Sequence, residues 1–178
     1  MVSIRTSLMK VLTKNTDYAI RALLSLAGAK GEFVSARAIS LEQDIPYQFL
    51  RRLLQEMIRY GLVSSKEGAA GGFRLARDPD TIRVTELIGI YQGPVRVSEC
   101  MFRKQICANR ARCVLRHEIM RIEQVVQQEF EKVTIGKLLA DLDAQNARIA
   151  AAGIPSGERG ESDALSVSTK KPERTEKQ

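Results

Sequence analysis

The stretch 35–76, SARAISLEQDIPYQFLRRLLQEMIRYGLVSSKEGAAGGFRLA, decides the fold. Ser35 reads as an N-cap, with Val34 and Ile39 spaced as a hydrophobic staple, and predicts a short helix from Ala36 to about Gln43. Asp44-Ile45-Pro46 then makes a tight connection, because Pro46 suits the first turn of a helix and disfavours helical geometry at Ile45. The next helix is predicted from Pro46 to Tyr60, stopped by Gly61. Its apolar residues Phe49, Leu50, Leu53, Leu54, Met57 and Ile58 recur as adjacent pairs one turn apart, and the other side carries Gln48, Arg51, Arg52, Gln55 and Arg59. Two helices on a short turn, the second basic on its outer side, form a helix-turn-helix. A plain amphipathic helix in solvent would show the same faces, so the following segment decides. Leu62 to Lys66 predicts a strand, Gly68-Ala-Ala-Gly-Gly72 a turn, and Phe73 to Ala76 a returning strand. A hairpin directly after such a helix is a wing. Lys66, Arg74 and Arg77 lie on or beside it, suited to phosphates or the minor groove, while the charge of Glu67 works against DNA.

Upstream, Ile20, Leu23, Leu24 and Ala27 hold helical spacing from Thr16 to about Gly28. Downstream, Asp78-Pro79-Asp80 marks a turn, and Thr81 to Tyr91 predicts a short helix with Val84, Leu87 and Ile88 inward. Gly93-Pro94 breaks it. From Arg112 a long seam runs through Leu115, Ile119, Ile122, Val126, Phe130 and Val133. A small domain cannot bury so long a seam alone, which predicts a dimerisation helix. Packing against the first helix is the competing account, and both can hold. Thr134 caps a short closing helix with Ile135, Leu138, Leu139 and Leu142. The expected layout is an extension over 1–8, a winged helix-turn-helix domain over 9–92, a cysteine loop over 93–113, dimerisation and closing helices over 112–146, and a disordered tail over 147–178. The tail is rich in Ser, Glu, Lys, Arg, Gly and Pro, which bury too little apolar surface to offset ordering entropy. The fold class is mainly α with a small β-hairpin wing.

The net charge of +7 favours a polyanionic partner, nucleic acid before membrane surface. No apolar run approaches the ~20 residues of a membrane span, and polar residues interrupt every apolar stretch before Thr13. These features predict a cytoplasmic protein, where thiols stay reduced.

Cys100, Cys107 and Cys113 then read as a metal or redox site rather than a disulfide framework. Arg96, Arg103, Lys104, Arg110, Arg112 and Arg116 surround them against the single acid Glu99. Neighbouring cations favour thiolate, the form that ligates soft metals and iron–sulfur clusters. Three further chemistries fit thiols. Zinc accepts three Cys with His117, although short paired knuckles are missing. A thiol-only sensor would react through sulfenic acid or disulfide. A redox or metal-transfer enzyme is disfavoured by the lack of a Cys-x-x-Cys pair, of a base beside a nucleophile and of a phosphate-binding Gly loop ending in Lys-Ser/Thr.

The run LTKNTDYAIRALLSLA (Leu12 to Ala27), the helix-turn-helix, the wing GAAGGFRLA (Gly68 to Ala76) and the three-cysteine loop together resemble the Rrf-type winged-helix regulators, the IscR-, NsrR- and RirA-like group, from about Met9 to Leu142. The resemblance implies a homodimer on palindromic promoter DNA with one iron–sulfur cluster per protomer, 4Fe–4S rather than 2Fe–2S, ligated by Cys100, Cys107 and Cys113. IscR-like members place a His three residues after the last cysteine, where this chain has Arg116, with His117 one place on. NsrR-like members take an Asp from the partner's first helix, which here implies Asp17. Asp17 equally suits a first helical turn through the macrodipole. Base reading falls to Gln48, Arg51 and Arg52, with Gln55 lower in the contact, while Lys66 and Arg74 on the wing are the DNA contacts suited to phosphates or the minor groove. IscR-like members carry an acid at the place of Arg51, which implies a different operator, and an Arg at the place of Glu67, which here leaves minor-groove insertion to Lys66.

Overall fold

The computed structural model describes residues 11–68, 71–94 and 112–152. Cys100, Cys107, the extension over 1–8 and residues 153–178 of the expected tail lie outside them. The chain divides after Asp143 into two units.

The first unit starts with α1 (Lys14–Gly28), earlier than the Thr16 expected, because the Thr13 hydroxyl accepts from the Thr16 amide and caps it. Ser35 caps α2 (Ala36–Gln43) through the Ala38 amide, as the sequence predicts. Asp44 closes α2 in the left-handed region, φ 51° and ψ 48°, which Asp tolerates better than most side chains. α3 (Tyr47–Arg59) follows with Pro46 at its N-cap. β1 (Val63–Lys66) and β2 (Gly72–Leu75) pair antiparallel, Val63 opposite Leu75 and Lys66 opposite Gly72. Val34 adds a further rung, exchanging hydrogen bonds of 2.9 and 2.8 Å with Phe73. Gly72 makes that approach possible, since a Cβ there would stand 2.5 Å from the Val34 carbonyl oxygen.

Leu23 and Leu26 of α1, Ile39 of α2 and Leu50, Leu54 and Met57 of α3 are fully buried together with Leu62 and Leu87. Each such side chain contributes about 1.5–3 kcal/mol of transfer free energy, so the face of α3 opposite the core is held outward.

The predicted helix from Thr81 resolves into a 3-10 turn (Pro79–Thr81) and α4 (Val84–Tyr91), with Val84, Leu87 and Ile88 buried as expected. α5 (Val114–Glu131) and α6 (Ile135–Ala151) follow. The Thr134 hydroxyl accepts from the Lys137 amide, so the expected cap of α6 is present. α6 continues to Ala151, past the fading of its apolar period at Asn146, so the expected start of the tail at 147 falls within a helix. The turn between α5 and α6 is tied to α4, with the Val84 amide donating to Val133 and the Ile135 amide to Ile82.

The long seam divides. Val126, Phe130 and Val133 pack against Val84 and Ile88 of α4, as do Val11, Leu12 and Ile20. Leu115 and Ile122 stay exposed at 69% and 42%, and Val114 and Val125 beside them are exposed too. The lower seam is intramolecular; the upper seam is open.

Candidate nucleic-acid interface and cysteine site

Gln48, Arg51, Arg52 and Gln55 stand at i, i+3, i+4 and i+7 of α3, and all four are exposed. They form one stripe because the residues between them, Leu50, Leu53 and Leu54, are anchored in the core. The turn before them is rigid. Ile45 is buried, its amide donates to the Ser40 carbonyl at 3.0 Å, and the Ser40 hydroxyl donates to its carbonyl at 2.6 Å. The Arg21 guanidinium, from α1, donates to the Gln43 carbonyl at the end of α2. Arg51 lies 6.0 Å from the Tyr47 ring centroid, at the limit of cation–π range. α3 begins without a side-chain cap, so its dipole and first amides suit an anion such as a DNA phosphate.

On the wing, Ser64, Lys66 and Arg74 share the face turned away from the core, given the pairing of Ser64 with Arg74. Arg74 donates from Nε to the Ser64 hydroxyl at 3.4 Å. Its guanidinium sits 4.7 Å, and the Lys66 ammonium 5.7 Å, from the centroid of the Phe33 ring. Arg77, expected beside them as a DNA contact, instead pairs with Glu86 of α4 at 2.6 Å. Glu67 is exposed next to Lys66.

Cys113 is the N-cap of α5, a free and half-buried thiol. His117 lies one turn on, exposed, its amide donating to the Cys113 carbonyl at 3.2 Å. Asp17 is exposed in the first turn of α1, 3.9 Å from Arg21. Among the described residues no three His, Cys, Asp or Glu side chains come together as a metal site.

Two features escaped the sequence reading. Phe33 carries both wing cations, and only its position as an aromatic in a polar turn hinted at it. Gln92, at the end of α4, accepts from the Thr13 amide and the Thr16 hydroxyl, each at 2.8 Å, and donates to the Val11 carbonyl at 2.9 Å. It fixes the end of α4 beside the first turn of α1, and nothing local in the sequence announces it. Tyr91 next to it donates its hydroxyl to the Leu53 carbonyl at 2.9 Å, and burial, with the nearby Glu56 charge adding, pushes its phenol well above the ordinary range.

Residues 12–141 match the Rrf2 sequence family, described as an iron-dependent transcriptional regulator. The HTH-type transcriptional regulator IscR of Aliivibrio salmonicida is 31% identical over 136 residues, 75% of this chain and 80% of that protein. The HTH-type transcriptional regulator NsrR of Shouchella clausii is 28% identical over 134 residues, 74% of this chain and 90% of that protein. Among solved structures, IscR of T. potens superposes with a TM-score of 0.60 at 24% identity, over 75% of this chain and 90% of that one. CymR, the global cysteine regulator of B. subtilis, does so with a TM-score of 0.61 at 23% identity, over 74% and 98%. Both structural likenesses concern the fold, a mainly helical winged domain.

Proposed function

This chain belongs to the Rrf2 family of transcription regulators, and from that premise we propose that it binds promoter DNA as a homodimer and senses iron, redox or nitric oxide status through an iron–sulfur cluster. It is a DNA-binding regulator and not an enzyme. Gln48, Arg51, Arg52 and Gln55 enter the major groove, and Lys66 and Arg74 meet phosphates beside it. Arg pairs with guanine edges and Gln with adenine.

The observation that carries the sensing half is the free thiol of Cys113 at the start of α5, next to the open upper seam. With Cys100 and Cys107 it supplies three thiolates, a donor set suited to a cluster, 4Fe–4S in this reading. The group would bring electron-transfer and ligand-exchange chemistry, and Cys100, Cys107 and Cys113 would hold it.

Asp17 is proposed as the fourth ligand, supplied by the second copy. Val126 and Phe130 are the α5 residues that pack at the α1–α4 base. Cys113 stands about 20 Å up the helix from Val126 at ~1.5 Å per residue, remote from that base in its own protomer. A partner paired along Val114, Leu115, Ile122 and Val125 offers its α1 instead. Burying those side chains at about 25 cal/mol per Å² gives the pair its driving force.

Iron and acid-labile sulfide analysis of protein purified without oxygen tests the reading, with footprinting of promoter DNA before and after cluster removal. Brown protein with iron and sulfide in cluster ratio, losing both in Cys113→Ala, supports it. Colourless protein carrying stoichiometric zinc, or metal-free protein whose DNA binding follows thiol oxidation alone, overturns the cluster and leaves a zinc-site or thiol-based regulator.

A further inference from the structure

We infer that Phe33 is a positioning residue for DNA binding, its ring a platform that fixes Lys66 and Arg74 of the wing as a paired phosphate clamp. The inference rests on the reading that α3 and the wing bind duplex DNA.

Phe33 belongs to the connection between α1 and α2, outside both the helix-turn-helix and the hairpin. Its neighbour Val34 pairs with Phe73, and those two side chains pack against the core. Side chains alternate across an extended segment, so Phe33 falls on the opposite face, the one shared by Ser64, Lys66 and Arg74. The distances agree with that placement: Arg74 at 4.7 Å and Lys66 at 5.7 Å from the same ring centroid, both inside cation–π range. The Ser64 hydroxyl holds the Arg74 Nε from the side.

The chemistry explains why a ring is useful here. Lys and Arg carry large rotamer freedom, which a protein must give up when each meets a phosphate. A cation seated on the ring has already lost much of that freedom and is held at a fixed place. The connection is in turn fixed by the Val34–Phe73 rung, so the platform moves with the wing.

The test uses the full chain and a fluorescent duplex that the wild-type protein enriches from a randomised pool. Phe33→Leu is expected to weaken binding about fivefold, the scale of losing exposed cation–π contacts, and to lower the log–log salt slope by about one to two, as though cations had left the phosphates. Phe33→Tyr and Phe33→Trp should restore both. In a Lys66→Ala/Arg74→Ala background, Phe33→Leu should add nothing. Wild-type affinity and slope in Phe33→Leu would overturn the inference, as would a loss that persists undiminished in the double-alanine background, the mark of a purely structural ring. If the wild type enriches no duplex, the DNA-binding reading itself fails. If it does, and the double-alanine variant weakens while Phe33→Leu does not, only the platform fails.

Discussion

Replacing Gln92 by Leu removes one amide and, with it, three long-range hydrogen bonds at once. The Oε1 accepts from the Thr13 amide and the Thr16 hydroxyl, and the Nε2 donates to the Val11 carbonyl. Thr13 is exposed and water can take its amide, so that bond is worth the low end of the usual 0.5–1.5 kcal/mol, about 0.5. Thr16 is fully buried but keeps a second contact, 3.1 Å to the Thr13 hydroxyl, so its loss costs about 1 kcal/mol rather than the whole desolvation penalty. The Val11 carbonyl adds about 1. The sum is about 2–3 kcal/mol, with Leu matching Gln closely in volume and leaving little cavity term. Urea denaturation of the full chain reads it as a lower midpoint at unchanged slope, and thermal unfolding as a drop on the order of 5–10 °C. Gln92→Glu should fall between, since it keeps an acceptor and turns the donor into a charge facing a carbonyl. A Leu variant within about 0.5 kcal/mol of wild type would refute the reasoning and mean that solvent satisfies these groups equally well.

Four further outcomes are expected. Leu115→Glu together with Ile122→Glu should shift sedimentation toward monomer while leaving the protomer's unfolding midpoint nearly unchanged, because both side chains are already solvent-facing; a large loss of protomer stability would show that the upper seam is core. Arg51→Ala and Arg52→Ala should relax preference at particular base pairs by about 1–3 kcal/mol each, whereas a uniform loss over all duplexes would assign both to phosphates. Asp17→Ala should lower iron retention more than His117→Ala, and the opposite order would move the fourth ligand to α5. For Tyr91 the folded phenol binds its proton more tightly than the unfolded one, so its contribution is complete below about pH 10, the ordinary phenol value, and is lost as pH rises beyond it; Tyr91→Phe should flatten the alkaline limb of the stability–pH curve.

What was legible in the sequence was local. Ser35 capping α2, Pro46 opening α3 and Gly61 following its end are signals carried within a few residues, and the structure keeps them. The inward residues of α3 and α4 follow from period alone. The seam of α5 was harder. A run of apolar residues at helical spacing reads the same whether its cover is another helix of the chain or a second chain, and here Phe130 and Leu115 take different answers. Arg77 looked like a wing cation because its acid, Glu86, sits across a turn on α4. The partners of Phe33 and Gln92 among the described residues are distant in sequence, so a local window offers at most the hint of an aromatic in a polar turn at Phe33 and nothing at Gln92.

That last residue bears on how a signal could reach DNA. Gln92 is fixed against the first turn of α1, and Cys113 stands at the head of the exposed half of α5. Two winged domains reading a palindrome must hold their recognition helices about 34–36 Å apart, or a multiple of it. If α5 is the pairing element, that spacing depends on the angle at which each base leaves its helix, and Val126 and Phe130 set the angle by packing against Val84 and Ile88. In the proposed reading, a group held by the cysteines and by Asp17 of a second copy would brace this joint. Its loss would leave each α3 intact and alter the distance between them, so operator affinity would fall while non-specific binding, which needs one domain at a time, would persist. Equal losses in both would place the signal within the single domain instead.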